Sequence, residues 1–112
     1  MRRGEIWWAS LGDRAGSAPG FRRPVLIVQS NEFNESATRT TIGAVITANR
    51  RLAAAPGNTR LARKASGLAR ESVVNISQLV TLDKRFLTQR IGRLLPEALR
   101  NVEAGIRLVL AL

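Results

Sequence analysis

Two arginines and a proline, Arg22, Arg23 and Pro24, stand between a loop of small residues and the wholly apolar run Val25 to Val28. Proline fixes its own φ and biases the residue before it toward an extended backbone, so the Arg23 guanidinium is expected to leave the sheet in a defined direction. Fixed positive charge at the mouth of a rigid scaffold is one way to build a phosphate site. In the loop, Gly16 and Ser17 could offer backbone N–H and hydroxyl groups to the same phosphate, although short Gly-Ser loops are also common turn elements. Phe21, beside the two arginines, could stack an unpaired base, and is equally compatible with a loop anchor packed on the core.

The charge balance agrees with a phosphate-rich partner. Lys plus Arg number 18 against 8 Asp plus Glu, a net charge of +10, and 16 of those cations are arginine. Arginine presents a planar fork that matches phosphate oxygens and stacks on bases. The excess is uneven: residues 37 to 70 contain Arg39, Arg50, Arg51, Arg60, Arg63, Lys64 and Arg70 and no acid at all. Solubility accounts for any one of these arginines, whereas the ensemble points to a basic patch and to nucleic acid. Asn49, Arg50 and Arg51 follow an apolar strand and are expected to border the groove, with turn chemistry as an alternative account of Asn49.

Absences narrow the chemistry. The chain has no cysteine and no histidine, which removes disulfides, thiolate metal sites, a His general base and a Ser-His-Asp triad together. The eight carboxylates form no DxD or ExxE pairing, so a two-metal nuclease centre is not expected, and any chemistry should proceed without a metal or other cofactor. At 112 residues and 45% apolar content, one domain spanning 1–112 is expected. The opening MRRGEIWWAS is too short an apolar stretch for a signal core or a membrane span, which predicts a soluble, cytoplasmic protein with no membrane partner.

The elements that must hold these residues follow from periodicity. Gly4 to Leu11 reads as a first strand, on which Trp7 and Trp8 must face opposite sides; one of them is expected outside the core, as a partly covered surface residue or, equally, as a base-stacking or subunit contact. Residues 12 to 20 read as a loop. Pro24 to Val28 and Thr41 to Ala48 are continuous β-branched and aliphatic runs, as for neighbouring strands covered on both faces. Asn31 to Thr38 is turn-like. Thr59 to Lys64 alternates apolar and basic residues as an edge strand would. Ser72 to Leu82 and Leu87 to Leu94 complete the strands. From Pro96, the apolar residues Leu95, Leu99, Val102, Ile106 and Val109 recur at helical spacing. A mainly β fold with a C-terminal helix, a small and strongly bent antiparallel sheet or partly open barrel, is therefore expected.

In this order, RRGEIWWASL, the Gly16-Ser17 loop, RRPVLIVQ, AVITAN and NISQLVTLDKRFL are similar to the successive segments of the MazF/PemK family of toxin endoribonucleases. The resemblance covers nearly the whole chain. It implies the SH3-like partly open barrel of the CcdB/Kid/MazF plasmid-maintenance toxins. It also implies a homodimer that cuts single-stranded RNA, mRNA above all, and a cognate antitoxin whose acidic tail competes for the RNA groove. The family places a catalytic arginine before the strand-opening proline and a catalytic threonine in the third strand; these positions are Arg23 and Thr47. Without the family, Thr47 would read as an ordinary strand threonine. Gln78, in a strand expected to be buried, is assigned to bracing the catalytic loop. The chain departs from the family at Ala18, where a glutamate is often found.

RNA can be cut without a metal if the ribose 2'-hydroxyl attacks the adjacent phosphorus, leaving a 2',3'-cyclic phosphate and a 5'-hydroxyl. The protein must then align the attack and stabilise the charge that builds on the phosphorane oxygens. Arg23 suits the second task, and the group that takes the 2'-hydroxyl proton is left unassigned. Two other readings are a gyrase-poisoning toxin of the CcdB type, whose tryptophan-bearing carboxyl terminus is missing from a chain that ends Leu110, Ala111, Leu112, and a catalytically silent RNA-binding module.

Overall fold

The computed structural model describes residues 1–11 and 22–112. Its centre is the pair of apolar runs. β2 (Arg22–Ile27) and β3 (Thr40–Thr47) lie side by side, with β1 (Glu5–Ser10) and β6 (Leu87–Arg93) beyond β2, and β5 (Ser72–Asp83) and β4 (Thr59–Leu61) beyond β3. The order β4-β5-β3-β2-β1-β6 is antiparallel throughout. Val25, Leu26 and Ile27 are all fully buried. Consecutive strand residues face opposite sides, so three in a row can be buried only if both faces are covered. Leu26 joins Ile6, Ala44, Ile46, Leu61, Val74 and Val102 in the main core. Val25 turns the other way, into a smaller cluster with Ala9 and Leu82.

The sheet bends where its ladders are irregular. Along β3 and β5, Ala44 pairs with Leu79 but the next residue, Val45, pairs with Asn75, so Ile76, Ser77 and Gln78 are accommodated on one side only. Extra residues of this kind kink and twist a strand. The Asn58 side chain pins the irregularity: its Oδ1 accepts from the Ile76 N–H at 2.9 Å and its Nδ2 donates to the Leu52 carbonyl at 2.9 Å. β1 is likewise irregular against β6, with register shifts at Ile6/Trp7 and Trp8/Ala9.

The expected edge strand over 59–64 is shorter than its alternation suggested. Only Thr59–Leu61 is strand; Arg63–Ser66 forms a helical turn, and Gly67, at φ +80°, ends it in the left-handed conformation that favours glycine. This turn follows one edge strand and meets the other. Gly92 of β6 lies so near Ser66 that an added Cβ would stand 2.8 Å from the Ser66 carbonyl oxygen. The two edges are thereby drawn together, and the sheet becomes the curled, partly open barrel the sequence predicts. The turn-like segment after residue 30 also contains a short helical turn, α1 (Asn31–Asn34). Counting Arg63–Ser66 as α2, the C-terminal helix is α3 (Pro96–Leu110), with Pro96 as its first residue. Val102 is fully buried and Leu99 and Ile106 pack on the core, but Leu95 and Val109 at the ends of the expected stripe are about half exposed, at 54% and 46%. The helix sits directly on the Pro56–Asn58 turn, where a side chain on Gly105 would collide with the Gly57 carbonyl.

Candidate functional site

The ladder between β2 and β3 holds three pairs, Val25 with Val45, Leu26 with Ala44 and Ile27 with Gly43. Continued, that register would set Pro24 opposite Ile46 and Arg23 opposite Thr47. Pro24 has no N–H to give, and the ladder stops short of it. On its other side β2 remains zipped to β1, with Ala9 opposite Arg23 and Ser10 opposite Arg22, which holds both arginine backbones in place. A groove of about 530 Å3 opens where the β2–β3 pairing ends.

The carboxyl end of β3, with Ile46, Thr47 and Asn49, runs along the middle of this groove. One side is made by Trp8, Arg22, Arg23 and Pro24, the other by Leu68, Arg70 and Ser72 from the segment entering β5. The Arg22 guanidinium lies over the Trp8 ring, 4.8 Å from its centroid, a cation–π contact. Arg23 Nη1 donates to the Arg22 carbonyl at 3.1 Å. Thr47 Oγ1 accepts from the Asn49 N–H at 3.1 Å, and Asn49 Oδ1 in turn accepts from the Arg51 N–H at 3.2 Å, capping the short 3-10 turn Arg50–Ala54. With its oxygen already accepting, the Thr47 hydroxyl keeps its proton for a further acceptor. No carboxylate is found among the described lining residues.

Of the residues expected at the site, Arg22, Arg23, Thr47 and Asn49 come together in this groove. Arg50 and Arg51 are near it in sequence but do not line it: Arg50 Nη1 pairs with Glu71 at 3.2 Å, and Arg51 is exposed on the 3-10 turn. The turn takes them away from the strand direction. Gly16, Ser17 and Phe21, with Ala18, lie outside the described residues. Gln78 is a correction. It is exposed rather than buried, because it belongs to the irregular stretch of β5, and its Oε1 accepts from Asn75 Nδ2 at 3.0 Å. Trp8, Arg70 and Ser72 were not tied to the site by sequence. Trp8 was visible as one of two oppositely directed tryptophans, but Arg70 and Ser72 reach the groove only through the pairing of β5 with β3, which no local pattern announces.

Among the described residues, no group of three or more Asp and Glu is placed to hold a metal ion, and no helix is long and apolar enough to cross a membrane.

Residues 2–110 match the family model of PemK-like, MazF-like toxins of type II toxin-antitoxin systems. Endoribonuclease MazF6 of Mycobacterium tuberculosis is 48% identical over 112 residues, covering 100% of this chain and 98% of that protein. Endoribonuclease EndoA of Bacillus subtilis is 35% identical over 112 residues, covering 100% and 96%. A solved mycobacterial endoribonuclease in complex with its cognate antitoxin has the same fold, with a TM-score of 0.81 at 23% identity over 100% of this chain and 96% of that one. MazF in a MazE-MazF structure from Deinococcus radiodurans gives a TM-score of 0.81 at 19% identity, over 100% and 97%. A match that runs almost end to end, joined to relatives at these identities, means that the chain belongs to the PemK-like, MazF-like toxins of type II toxin-antitoxin systems.

Proposed function

We propose that this chain, acting as one toxin unit over residues 1–112, is a sequence-selective endoribonuclease that cuts single-stranded RNA, mRNA in the cell, at the groove beside Pro24. The observation that carries the reading is the unzipped end of β2 and β3, which leaves Arg23 and Thr47 facing one open space. The 2'-oxygen of the ribose attacks the adjacent phosphorus and the bond from phosphorus to the 5'-oxygen breaks. The 2'-hydroxyl loses its proton, the departing 5'-oxygen gains one, and the products are a 2',3'-cyclic phosphate and a 5'-hydroxyl.

Arg23 stabilises the charge that grows on the non-bridging oxygens, since an arginine remains protonated throughout the accessible pH range. Thr47, a β-branched residue with few rotamers and an acceptor bond already made to Asn49, donates its hydroxyl proton to a phosphate oxygen and holds it in line. Arg22, stacked over the Trp8 ring, presents its guanidinium plane as a stacking surface for a base beside the cut. The chain works as a cytoplasmic homodimer and is silenced by a cognate antitoxin that occupies the same basic groove; the full-length likeness to a mycobacterial endoribonuclease solved in complex with its cognate antitoxin supports that pairing.

The test is incubation of purified protein with a long single-stranded RNA and its DNA counterpart in EDTA, with mapping of product ends. Discrete cuts in RNA alone, ending in 2',3'-cyclic phosphate, are expected. RNA left intact over a wide range of protein concentration would overturn the reading in favour of a silent RNA binder.

A further inference from the structure

We propose that Arg70 is a second RNA-phosphate contact, on the side of the groove opposite Arg23, and that it grips the backbone next to the scissile phosphate; this rests on the endoribonuclease reading above. β3 lies between β2 and β5, and Thr47 pairs with Val73. The segment Arg70–Ser72 therefore passes Thr47 on the side away from Arg23, and both Arg70 and Ser72 line the groove. The two guanidinium groups bracket the threonine.

Three features make Arg70 a built contact rather than a stray surface charge. Its guanidinium is exposed and meets no hydrogen-bond or ion-pair partner among the described residues. Its backbone is held from below, for Ser72, only 4% exposed, donates its hydroxyl to the Arg70 carbonyl at 3.0 Å. The acid beside it is occupied elsewhere: Glu71 does not line the groove and pairs with Arg50 at 3.2 Å. Were Glu71 turned inward it would cancel the charge next to it, and Arg50 draws it outward. The arginine expected to touch RNA thus acts as a positioning residue for one that was not singled out.

A repeating polyanion satisfies this arrangement better than a single phosphate does. One phosphorane can be served by Arg23 and Thr47; a guanidinium across the groove needs a second phosphodiester of the same strand. Such a contact fixes the strand's path and carries no base information. Arg70 should therefore govern affinity and its dependence on salt, not the choice of cut site and not the chemical step.

The experiment compares wild type, Arg70→Ala, Arg70→Lys and Ser72→Ala, each checked for an unchanged melting temperature. Binding is followed by fluorescence anisotropy across a salt series, using a single-stranded RNA oligomer that carries the mapped cut site with a 2'-deoxy sugar at the cut. For Arg70→Ala we expect about tenfold weaker binding, and a plot of log affinity against log salt flatter by about 0.7. KM for cleavable RNA should rise in step while kcat and the cut pattern hold. Arg70→Lys should restore the slope, and Ser72→Ala should weaken binding with the slope intact. Wild-type cleavage with Arg70→Ala unchanged in affinity and slope would overturn this proposal and leave the endoribonuclease reading standing, as would a fall in kcat at constant KM. Wild type that neither cuts nor binds RNA would end both.

Discussion

The two ends of β1 use arginine in opposite ways. At its start, three arginines meet carboxylates: Arg90 Nε lies 3.3 Å from Glu5, Arg2 Nη1 lies 2.8 Å from Glu35, and Arg3 pairs with Glu103 of α3. At its end, in the groove, Arg22 lies on the Trp8 ring and Arg70 has no partner among the described residues, with no carboxylate in the described lining. Paired charges fasten chain segments far apart in sequence. Charges kept away from acids make a field for a polyanion instead. The net charge of +10 is therefore a poor summary of the molecule, because much of its acid is spent at one end.

Glu5 is the centre of the paired end. It is 8% exposed, accepts from the Arg2 N–H at 2.9 Å and from Trp7 Nε1 at 3.0 Å, and faces Arg90. Burial pushes its carboxyl up, but the Trp7 and Arg2 hydrogen bonds and the Arg90 charge outweigh that and hold it below the ordinary value. The folded state thus favours the ionised form.

The sharpest way to break the contrast is at the groove. Arg23→Ala and Thr47→Ala should each lower kcat/KM on a mapped RNA by about 100- to 1,000-fold, the usual loss for one transition-state charge donor, while the melting temperature stays put. A matching collapse in stability would mean the groove is held together by the same residues that act in it. Next in size, Glu5→Gln should cost about 1.5–3 kcal/mol in urea unfolding, as expected when charge-assisted hydrogen bonds are lost, with cleavage by the folded variant unaltered. If cleavage fell instead, the two ends would be coupled.

Acid sharpens the same point. Because the folded pKa of Glu5 is lowered, its contribution to stability is complete above the unfolded carboxylate range and disappears as pH falls through the folded value. The stability gap between wild type and Glu5→Gln should accordingly be widest near neutrality and close on acidification; a gap independent of pH would show that shape, not charge, makes Glu5 important. The smallest effect belongs to Arg2→Ala. Both partners of the Arg2–Glu35 pair are at least half exposed, at 50% and 63% of their side chains, so the change in unfolding free energy should stay below about 1 kcal/mol. A larger loss would make this surface pair a structural clamp.

Much of the molecule was legible beforehand where a local pattern has one physical meaning. The run Pro24 to Val28 could be buried only in a doubly covered strand, and Pro96 with its following apolar residues could hardly be other than a helix start. Patterns with two meanings misled. The alternation over Thr59 to Lys64 suits an edge strand, yet Gly67 caps a helical turn from Arg63. A strand rich in valine and isoleucine suggested a buried Gln78, but the local break in β5 pairing turns it to solvent.

By itself the sequence determined the chemical means: arginine in excess, no histidine or cysteine, a proline that ends one ladder, and a family pattern that runs from residue 2 to 110. Residue types and spacing are enough for that, since each acts through its own covalent structure. Tertiary structure decided which cations share a space. Arg50 is nearer in sequence to Thr47 than Arg70 is, but the 3-10 turn carries it to Glu71, while the β3–β5 pairing brings Arg70 to the groove. Charge falls off with distance through space, and only strand pairing and the closing of the sheet set that distance.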